Sequence, residues 1–410
     1  MNALRLLFVA FLVFGIAESQ AAEPLRIAFI NTLSGAFALQ GEETYKNVQT
    51  AVDIVNGKGG ILGRQIELVP FDNKGNPQET LIMLKQATDQ DIRYVISGVS
   101  NIAHAISDAL AKHNERNPDK PVLFLDYGAL DPALTESKCS FWHFRFEAHA
   151  DMQVAVLTDY IARQPHIKKV YLINQDYAFG QATAKAAREM LQAKRPDIQI
   201  AGDELIPLGK VKDFAPYVAK IKASGADSVI SGNWGNDLSL LIKASNEAGL
   251  KAQYYTLLGA FFGTPGAIGA AGADRVRTLY AFNINDADAA SQMNLLAYKE
   301  RFGALTNMSY LPAQRTVHML AAAMAQAQSD DPLKVAHALE GMKYAGPNGE
   351  SWMRAEDHQM IAPILLLRFA RVGQPGVKID EEKTGHGWKT EALIPAKDTA
   401  TPVKCRMQRP

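Results

Sequence analysis

A short apolar run that passes directly into a helix-spaced pattern constrains the fold more than any other feature of this chain. Residues 94–96 form the run, a small polar loop at residues 97–101 follows, and apolar residues then recur at helical spacing as far as Leu110. This order predicts a buried strand followed by a helix whose first turn is capped by Ser100 or Asn101. The unpaired N–H groups of that turn would then face the loop.

The same order of strand, polar loop and helix recurs in the second half of the chain. Residues 228–231 form an apolar run, residues 233–236 form a loop that contains Trp234, and a helical pattern follows. A weaker echo relates residues 27–31 to residues 170–174, each of which opens one half. Strands and helices that alternate at this spacing predict parallel, doubly wound sheets with right-handed crossovers. Ligands of such sheets bind outside the carboxyl ends of the strands.

The length of the chain favours two domains. Its 410 residues exceed one average domain. We predict an α/β protein with two doubly wound parallel-sheet lobes that are joined by three crossover segments. Lobe I is predicted to comprise residues 22–144 and 281–347, and lobe II residues 145–280 and 348–410.

Composition and charge restrict the class of partner. The chain is 47% hydrophobic and 21% charged, which is typical of a soluble protein with a sizeable core. Lys and Arg together number 43, as do Asp and Glu, so the formal net charge is zero. A chain without net positive charge is not expected to bind nucleic acid.

The N-terminus has the pattern of a targeting segment. Arg5 precedes an apolar run at residues 6–16 that is too short to span a bilayer comfortably, and Ser19 and Ala21 provide small residues near a cleavage site. We therefore predict that residues 1–21 are a signal peptide and that the mature protein is exported. An uncleaved anchor is the alternative, and the polar residues that follow argue against it.

The chain contains two cysteines, Cys139 and Cys405. In an exported protein two cysteines pair more often than they stay free, so we predict a disulfide between them. Such a bond would tie the C-terminus to the middle of the chain. The alternative is two separate buried thiols.

Signatures of catalysis and of metal binding are not found in the sequence. It contains no Gly-x-Ser-x-Gly elbow, no His-Glu-x-x-His motif and no Walker loop. His143 and His149, with Glu147 between them, could suggest a metal site, but in an extended stretch they alternate without ligand geometry. We predict structural or solvated histidines, no metal, no cofactor, no catalytic residue and a protein that is not an enzyme. Small polar and aromatic residues in the strand-end loops favour reversible capture of a small solute.

The order of these features closely resembles the periplasmic binding proteins of branched-chain amino acid ABC importers, in the hydrophobic amino acid and amide group. Four motifs carry the resemblance, which extends from Leu25 to about Leu366: residues 27–73 (from IAFINTLSG to VPFDN), 94–101 (YVISGVSN), 173–180 (INQDYAFG) and 227–250 (DSVISGNWGNDLSLLIKASNEAGL). The resemblance implies a type I periplasmic-binding fold that closes on its ligand by hinge motion. It also implies a periplasmic location in a Gram-negative bacterium, a membrane permease as partner and a monomer.

The resemblance also implies a set of ligand contacts. In the family, the loop after the third strand binds the ligand carboxylate, and here that loop contains Ser100 and Asn101. The aromatic residue of the family's second repeated loop corresponds to Trp234, whereas Gln40 stands where relatives have a tyrosine before glycine. The predicted ligand contacts are Phe37, Gln40, Ser100, Asn101, Tyr127, Gly128, Ala129, Tyr177, Phe179, Trp234, Leu258 and Phe261.

One departure from the family concerns the charge of the ligand. Relatives that bind α-amino acids place a glutamate just after the strand that corresponds to residues 254–258, where it pairs with the ammonium group. Here Gly259, Ala260 and Phe261 follow that strand. Because an unpaired buried ammonium is costly, an amino acid would need another partner, for which Asp126 and Asp176 are candidates. An aromatic or other apolar carboxylate therefore rivals an amino acid as the expected ligand.

A ligand-sensing module on the same fold is the alternative function. A tethered sensor would need a C-terminal transmembrane helix, and the apolar residues 361–369 are too short for one and contain Arg368. The sequence therefore favours a solute receptor that delivers a small carboxylate-bearing ligand, amino acid-like or an aromatic acid, to an importer.

Overall fold

The structure is a computed structural model that describes residues 22–303, 305–309 and 312–410. The predicted signal peptide, residues 1–21, lies outside the described residues. The names lobe I and lobe II are kept for the predicted residue ranges, whose boundaries remain a prediction.

Strands and helices alternate through most of the described chain, as the repeated pattern predicts. The strands are β1 (Leu25–Asn31), β2 (Ile66–Asp72), β3 (Tyr94–Ser97), β4 (Leu123–Asp126), β5 (His143–Arg145), β6 (Lys169–Gln175), β7 (Gln199–Ile206), β8 (Ser228–Ser231), β9 (Gln253–Thr256), β10 (Val276–Tyr280), β11 (Lys343–Gly346), β12 (Gly349–Met353), β13 (Met360–Ile361), β14 (Ile364–Arg371) and β15 (His386–Ile394). The helices are α1 (Ala38–Gly57), α2 (Pro77–Asp89), α3 (Ser100–Arg116), α4 (Ala150–Ala162), α5 (Ala178–Lys194), α6 (Ala215–Ser224), α7 (Gly235–Glu247), α8 (Thr264–Ile268), α9 (Ala289–Phe302), α10 (Pro312–Ala327), α11 (Pro332–Leu339) and α12 (Ala396–Thr399).

The sheet of lobe I is parallel throughout. Its strand order is β2-β1-β3-β4-β5, and every neighbouring pair runs in the same direction. Strands β1, β3 and β4 are almost entirely buried, because helices cover both faces of the sheet. Their carboxyl ends therefore meet at one edge, where the predicted loops lie.

The sheet of lobe II is parallel at its centre and antiparallel at one edge. Strands β10, β9, β8, β6 and β7 are parallel neighbours, whereas β14 pairs antiparallel with both β10 and β15. The fold class predicted from the sequence is confirmed, and the β14–β15 hairpin is an addition to it. Residues 361–369, which the sequence analysis considered only as a membrane span, belong to β13 and β14.

The crossover after β5 is anchored by a buried arginine. Arg145 is fully buried, and its Nε donates to Oε1 of Gln359 at 2.7 Å. Its Nη1 donates to the carbonyls of Ala129 and Asp131 at 3.2 and 2.5 Å. The backbone N–H of Arg145 also bonds the carbonyl of His358 at 2.9 Å. This network joins the end of the lobe I sheet to the β12–β13 region and fixes where the chain enters lobe II.

The histidines considered for metal binding have structural partners. His143 is buried and places its ring nitrogens 3.0 Å from Oδ2 of Asp126 and 3.2 Å from the carbonyl of Leu134. His149 is buried at the start of α4, where its Nδ1 accepts the N–H of Met152 at 3.4 Å. In the described part of the chain, no group of three His, Cys, Asp or Glu side chains could hold a metal ion.

The predicted disulfide is present between Cys139 and Cys405, which are 266 residues apart in sequence. It attaches the C-terminal segment to lobe I at a point just before β5 in the chain. Among the described residues, every helix is too short or too polar to cross a bilayer.

Candidate functional site

A cleft lies between the carboxyl ends of the strands of the two lobes. It encloses about 1030 Å³ of space between the side chains, part of it open to solvent. Ten of the twelve predicted ligand contacts line this cleft. They are Phe37, Gln40, Ser100, Tyr127, Gly128, Tyr177, Phe179, Trp234, Leu258 and Phe261.

The remaining two predicted contacts, Asn101 and Ala129, are not among the residues that line the cleft. Ala129 is fully buried, and its N–H donates to Oδ1 of Asp126 at 2.7 Å. Asn101 follows Ser100 within the first turn of α3, so its side chain is turned by about 100° around the helix axis relative to that of Ser100. The difference arises because neighbouring residues of a turn cannot all face one cavity.

The predicted cap of α3 is wrong. The helix begins at Ser100 with Val99 as its N-cap residue, and no side chain of the described residues caps it. Oγ of Ser100 instead accepts the N–H groups of Leu130 and Asp131, both at 3.1 Å. Ser100 is only 2% exposed, and its hydroxyl proton remains free to be donated.

Four helices whose N-cap residues line the cleft share this lack of a side-chain cap. Within the described residues, α1, α3, α5 and α7 have no capping side chain, and their N-cap residues all line the cleft: Phe37, Val99, Tyr177 and Trp234. Away from the cleft, α2, α9 and α11 are capped by Asn76, Asp288 and Asp331, whereas α6 and α8 have no side-chain cap. Helix α4, whose first turn contributes Gln153 to the cleft, is capped by His149. Uncapped first turns present N–H groups and the positive end of the helix dipole, so this arrangement favours a negatively charged ligand group.

Tyr127 forms part of the polar wall of lobe I. Its hydroxyl oxygen accepts a hydrogen bond from Nδ2 of Asn31 at 2.7 Å. Burial raises the pKa of Tyr127 to about 12, so the hydroxyl stays protonated at neutral pH. Its ring covers Gly98, where a Cβ atom would lie 2.6 Å from the ring, so a larger residue there would displace Tyr127.

The wall of lobe II is aromatic. Nε1 of Trp234 donates to the hydroxyl of Tyr177 at 2.8 Å, and Trp234 is 7% exposed. Burial raises the pKa of Tyr177, which keeps that hydroxyl protonated. The rings of Tyr177 and Phe179 meet edge to face with centroids 5.9 Å apart. This wall combines a large apolar surface with one hydroxyl donor.

Direct contacts cross the cleft and hold the two lobes together. The ring of Phe37, at the start of α1, lies 4.3 Å from that of Trp234 at a tilt of 33°. Nε2 of Gln40 donates to the carbonyl of Phe262 at 3.3 Å, and Nδ2 of Asn236 donates to the carbonyl of Ala36 at 3.4 Å. The cleft is therefore closed on the side where α1 begins.

Five polar residues of the cleft are not among the predicted ligand contacts: Asn31, Thr32, Thr44, Glu147 and Gln153. Glu147 lies in the crossover between β5 and α4, and Gln153 lies in the first turn of α4. Burial raises the pKa of Glu147, and the positive charge of Arg315 on α10 partly offsets this effect. The sequence does contain a signal for Glu147, because an acid follows β5 closely. That acid enters the sequence analysis only as part of a possible metal site with His143 and His149.

The two acids that the sequence analysis offered as ammonium partners do not line the cleft. Asp126 is fully buried and accepts the N–H groups of Gly128 and Ala129 through Oδ1, while Oδ2 contacts His143. Asp176 is exposed and accepts a hydrogen bond from Gln181 at 2.9 Å.

Other missed residues supply apolar surface. Leu257 stands next to the predicted Leu258, and Leu279 and Tyr280 end β10, so the strand-end rule could have found all three. Pro312 and Ala313 come from the start of α10, for which the sequence offers no such signal.

Comparison with known proteins shows the family. Residues 24–374 match the family model described as periplasmic binding protein. The chain is 31% identical over 404 residues to Leu/Ile/Val-binding protein homolog 4 of Brucella melitensis, which covers 96% of this chain and 95% of that protein. It is 26% identical over 346 residues to the leucine-, isoleucine-, valine-, threonine- and alanine-binding protein of Pseudomonas aeruginosa, with 84% and 89% of the two chains covered.

Solved structures show the same fold. The leucine-, isoleucine-, valine-, threonine- and alanine-binding protein of Brucella ovis, in a closed conformation, superposes with a TM-score of 0.85 at 30% identity, covering 95% of this chain and all of that one. A solute-binding protein from Rhodopseudomonas palustris, in complex with 3,4-dihydroxybenzoic acid, gives a TM-score of 0.79 at 18% identity, with 91% and 98% covered. Because the Rhodopseudomonas palustris protein is only 18% identical, its similarity to this chain concerns the fold alone.

Proposed function

This chain belongs to the periplasmic binding protein family, as the solute-binding protein of a branched-chain amino acid type ABC importer, and we propose that it captures a small carboxylate with an apolar body between its lobes. Such a protein is a receptor and not an enzyme. We further propose that it acts in the periplasm as a monomer, that it binds no nucleic acid and that its protein partner is the importer's membrane permease.

The single observation that carries the proposal is the division of the cleft into a polar and an apolar wall. On lobe I, the uncapped start of α3, the hydroxyl of Ser100 and the hydroxyl of Tyr127 offer hydrogen-bond donors for a carboxylate. On lobe II, Phe179, Trp234 and their neighbours offer apolar surface. A ligand that carries one carboxylate and one apolar group matches both walls at once.

Reversible capture is consistent with the charges of the site. Within the described residues, neither Lys nor Arg lines the cleft, so the carboxylate would be held by neutral donors and helix dipoles without a full ion pair. A receptor that must release its ligand to a permease benefits from that arrangement. No observation on the described residues favours the sensory alternative.

An aromatic carboxylate is the second candidate ligand. The observation in its favour is the supply of aromatic rings, since Phe37, Tyr177, Phe179, Trp234 and Phe261 all line the cleft. The names of the Brucella and Pseudomonas relatives support an aliphatic amino acid instead.

Calorimetric titration of the purified mature protein tests the proposal. The panel contains L-leucine, L-phenylalanine, 4-methylpentanoate, 3-phenylpropanoate, 4-hydroxybenzoate and, as a carboxylate-free control, L-leucinamide. We expect at least one carboxylate to bind with one site per chain and L-leucinamide to bind at least tenfold more weakly than L-leucine, if L-leucine binds. The proposal fails if no carboxylate of the panel binds to the folded protein.

A further inference from the structure

The crossover between β5 and α4 and the first turn of that helix contribute two hydrogen-bond acceptors, Glu147 and Gln153, to the residues that line the cleft. Glu147 Oε1 accepts the N–H of Ala148 at 2.8 Å, and the carbonyl of Ala148 accepts Nε2 of Gln153 at 2.8 Å. One residue therefore positions both side chains, and both line the cleft. The local geometry is set before any ligand arrives.

The free atom of Gln153 points to a missing donor. Gln153 is 6% exposed, and its Oε1 is buried without a hydrogen-bond partner among the described residues. The assignment of its amide is fixed by chemistry, because the carbonyl of Ala148 can only accept and must face the NH₂ group. A buried acceptor left unpaired costs free energy, so a ligand N–H group at this position would be stabilising.

The carboxylate of Glu147 also lacks a close cation. The ion pairs within 4.0 Å among the described residues do not include Glu147, although Arg145 and Arg315 act on it at longer range. Arg315 donates instead to the carbonyl of Phe146, and Arg145 to the carbonyls and side chains of the crossover network. Glu147 is thus a half-buried acid that lines the cleft and has capacity for one more positive group.

We infer that Glu147 and Gln153 bind the ammonium group of an α-amino acid ligand, with its carboxylate at Ser100 and its side chain against the wall of lobe II. This inference rests on the proposed function and narrows its ligand from any small carboxylate to an amino acid. It supplies the acid that is absent after β9, where Gly259, Ala260 and Phe261 stand. Recognition of the ammonium thereby moves from the loop after β9 to the crossover between β5 and α4.

Paired probes test the inference without any mutation. L-leucine is compared with 4-methylpentanoate, and L-phenylalanine with 3-phenylpropanoate, because each pair differs chiefly by the ammonium group. We expect the preferred amino acid to bind the wild-type protein about 100-fold more tightly than its partner. If the ammonium-free acid binds within threefold of the amino acid, the inference is overturned while the proposed function stands. If no carboxylate binds at all, the proposed function itself fails.

A substitution assigns the effect to the residue. Glu147→Gln keeps the shape and the acceptor for Ala148, and we expect it to weaken the amino acid by about 100-fold while the ammonium-free acid binds as before. Glu381→Gln is the matched control, because Glu381 is a buried glutamate whose pKa is likewise raised by burial, to about 8, and it does not line the cleft. We expect it to leave both affinities unchanged. Equal losses for both members of a pair in Glu147→Gln would show a structural role and overturn the inference.

Discussion

The two lobes present the same local motif to the cleft and use it differently. Strand β3 leads into α3 through Val99 and Ser100, and strand β8 leads into α7 through Trp234 and Gly235. Both helices begin without a side-chain cap. In lobe I a hydroxyl follows the N-cap, whereas in lobe II the N-cap residue is itself a large aromatic ring.

Because of this difference, we expect lobe I to orient the ligand and lobe II to cover its apolar surface. A hydroxyl beside an uncapped helix start fixes a carboxylate by direction, since hydrogen bonds depend on angle. An indole ring removes apolar surface from water and tolerates several shapes, since the hydrophobic effect has no direction. A duplicated scaffold can thus divide the work of recognition between its copies by changing one or two residues at the strand end.

The largest effect is expected where the polar wall meets the ligand's charge. Ser100→Asp places a negative charge against the ligand carboxylate, and we expect affinity to fall by about 100-fold or more. An aspartate oxygen can still accept the N–H groups of Leu130 and Asp131, so the fold should survive. Titration with the best ligand of the panel measures the loss, and circular dichroism checks folding.

Ser100→Ala is the companion variant. It removes the hydroxyl donor and leaves two buried N–H groups without their acceptor. We therefore expect the affinity for the ligand to fall by about tenfold. The comparison between the lobes predicts that Ser100→Asp lowers the affinity more than Ser100→Ala does. Equal losses would mean that the carboxylate does not lie at the start of α3.

The strand-loop-helix order in lobe I and lobe II could be predicted from sequence because it is local. Alternation between a buried run and helical spacing at residues 94–110 needs no knowledge of distant residues. The family resemblance predicts Tyr127, Tyr177 and Trp234 as ligand contacts, and all three line the cleft. The disulfide between the two cysteines followed from counting them.

What the sequence analysis missed depends on packing between distant segments. The pKa of Glu147 depends on the charge of Arg315 on α10, and the carbonyl of Glu147 accepts a hydrogen bond from Gln359, far along the chain. The exclusion of Asn101 depends on the residue at which α3 begins, and a shift of one position turns a side chain by about 100°. Strand β14 was overlooked because its nearly continuous burial gives no period-two alternation.

The second effect in size concerns the aromatic wall. Trp234→Ala removes the ring that packs at a tilt against Phe37 and lines the cleft, and we expect ligand affinity to fall by about tenfold. The loss of affinity should be similar for an amino acid and for its ammonium-free partner, because the ring contacts the apolar part of the ligand and not its charge.

Trp234→Phe keeps an aromatic ring beside Phe37 and should retain most of the affinity. Titration of both variants with one probe pair provides the measurement. A Trp234→Ala protein that is folded and binds as tightly as the wild type would remove Trp234 from the ligand site.

The smallest effect should come from the one hydrogen bond within the wall of lobe II. Tyr177→Phe removes the hydroxyl that accepts Nε1 of Trp234 at 2.8 Å but keeps the ring beside Phe179. The indole then loses a single neutral bond, so we expect affinity to fall by about threefold and the fold to persist. Isothermal titration at constant pH can resolve a change of this size. If Tyr177→Phe instead weakens binding as strongly as Ser100→Ala, the hydroxyl of Tyr177 contacts the ligand directly, and the aromatic wall orients as well as covers.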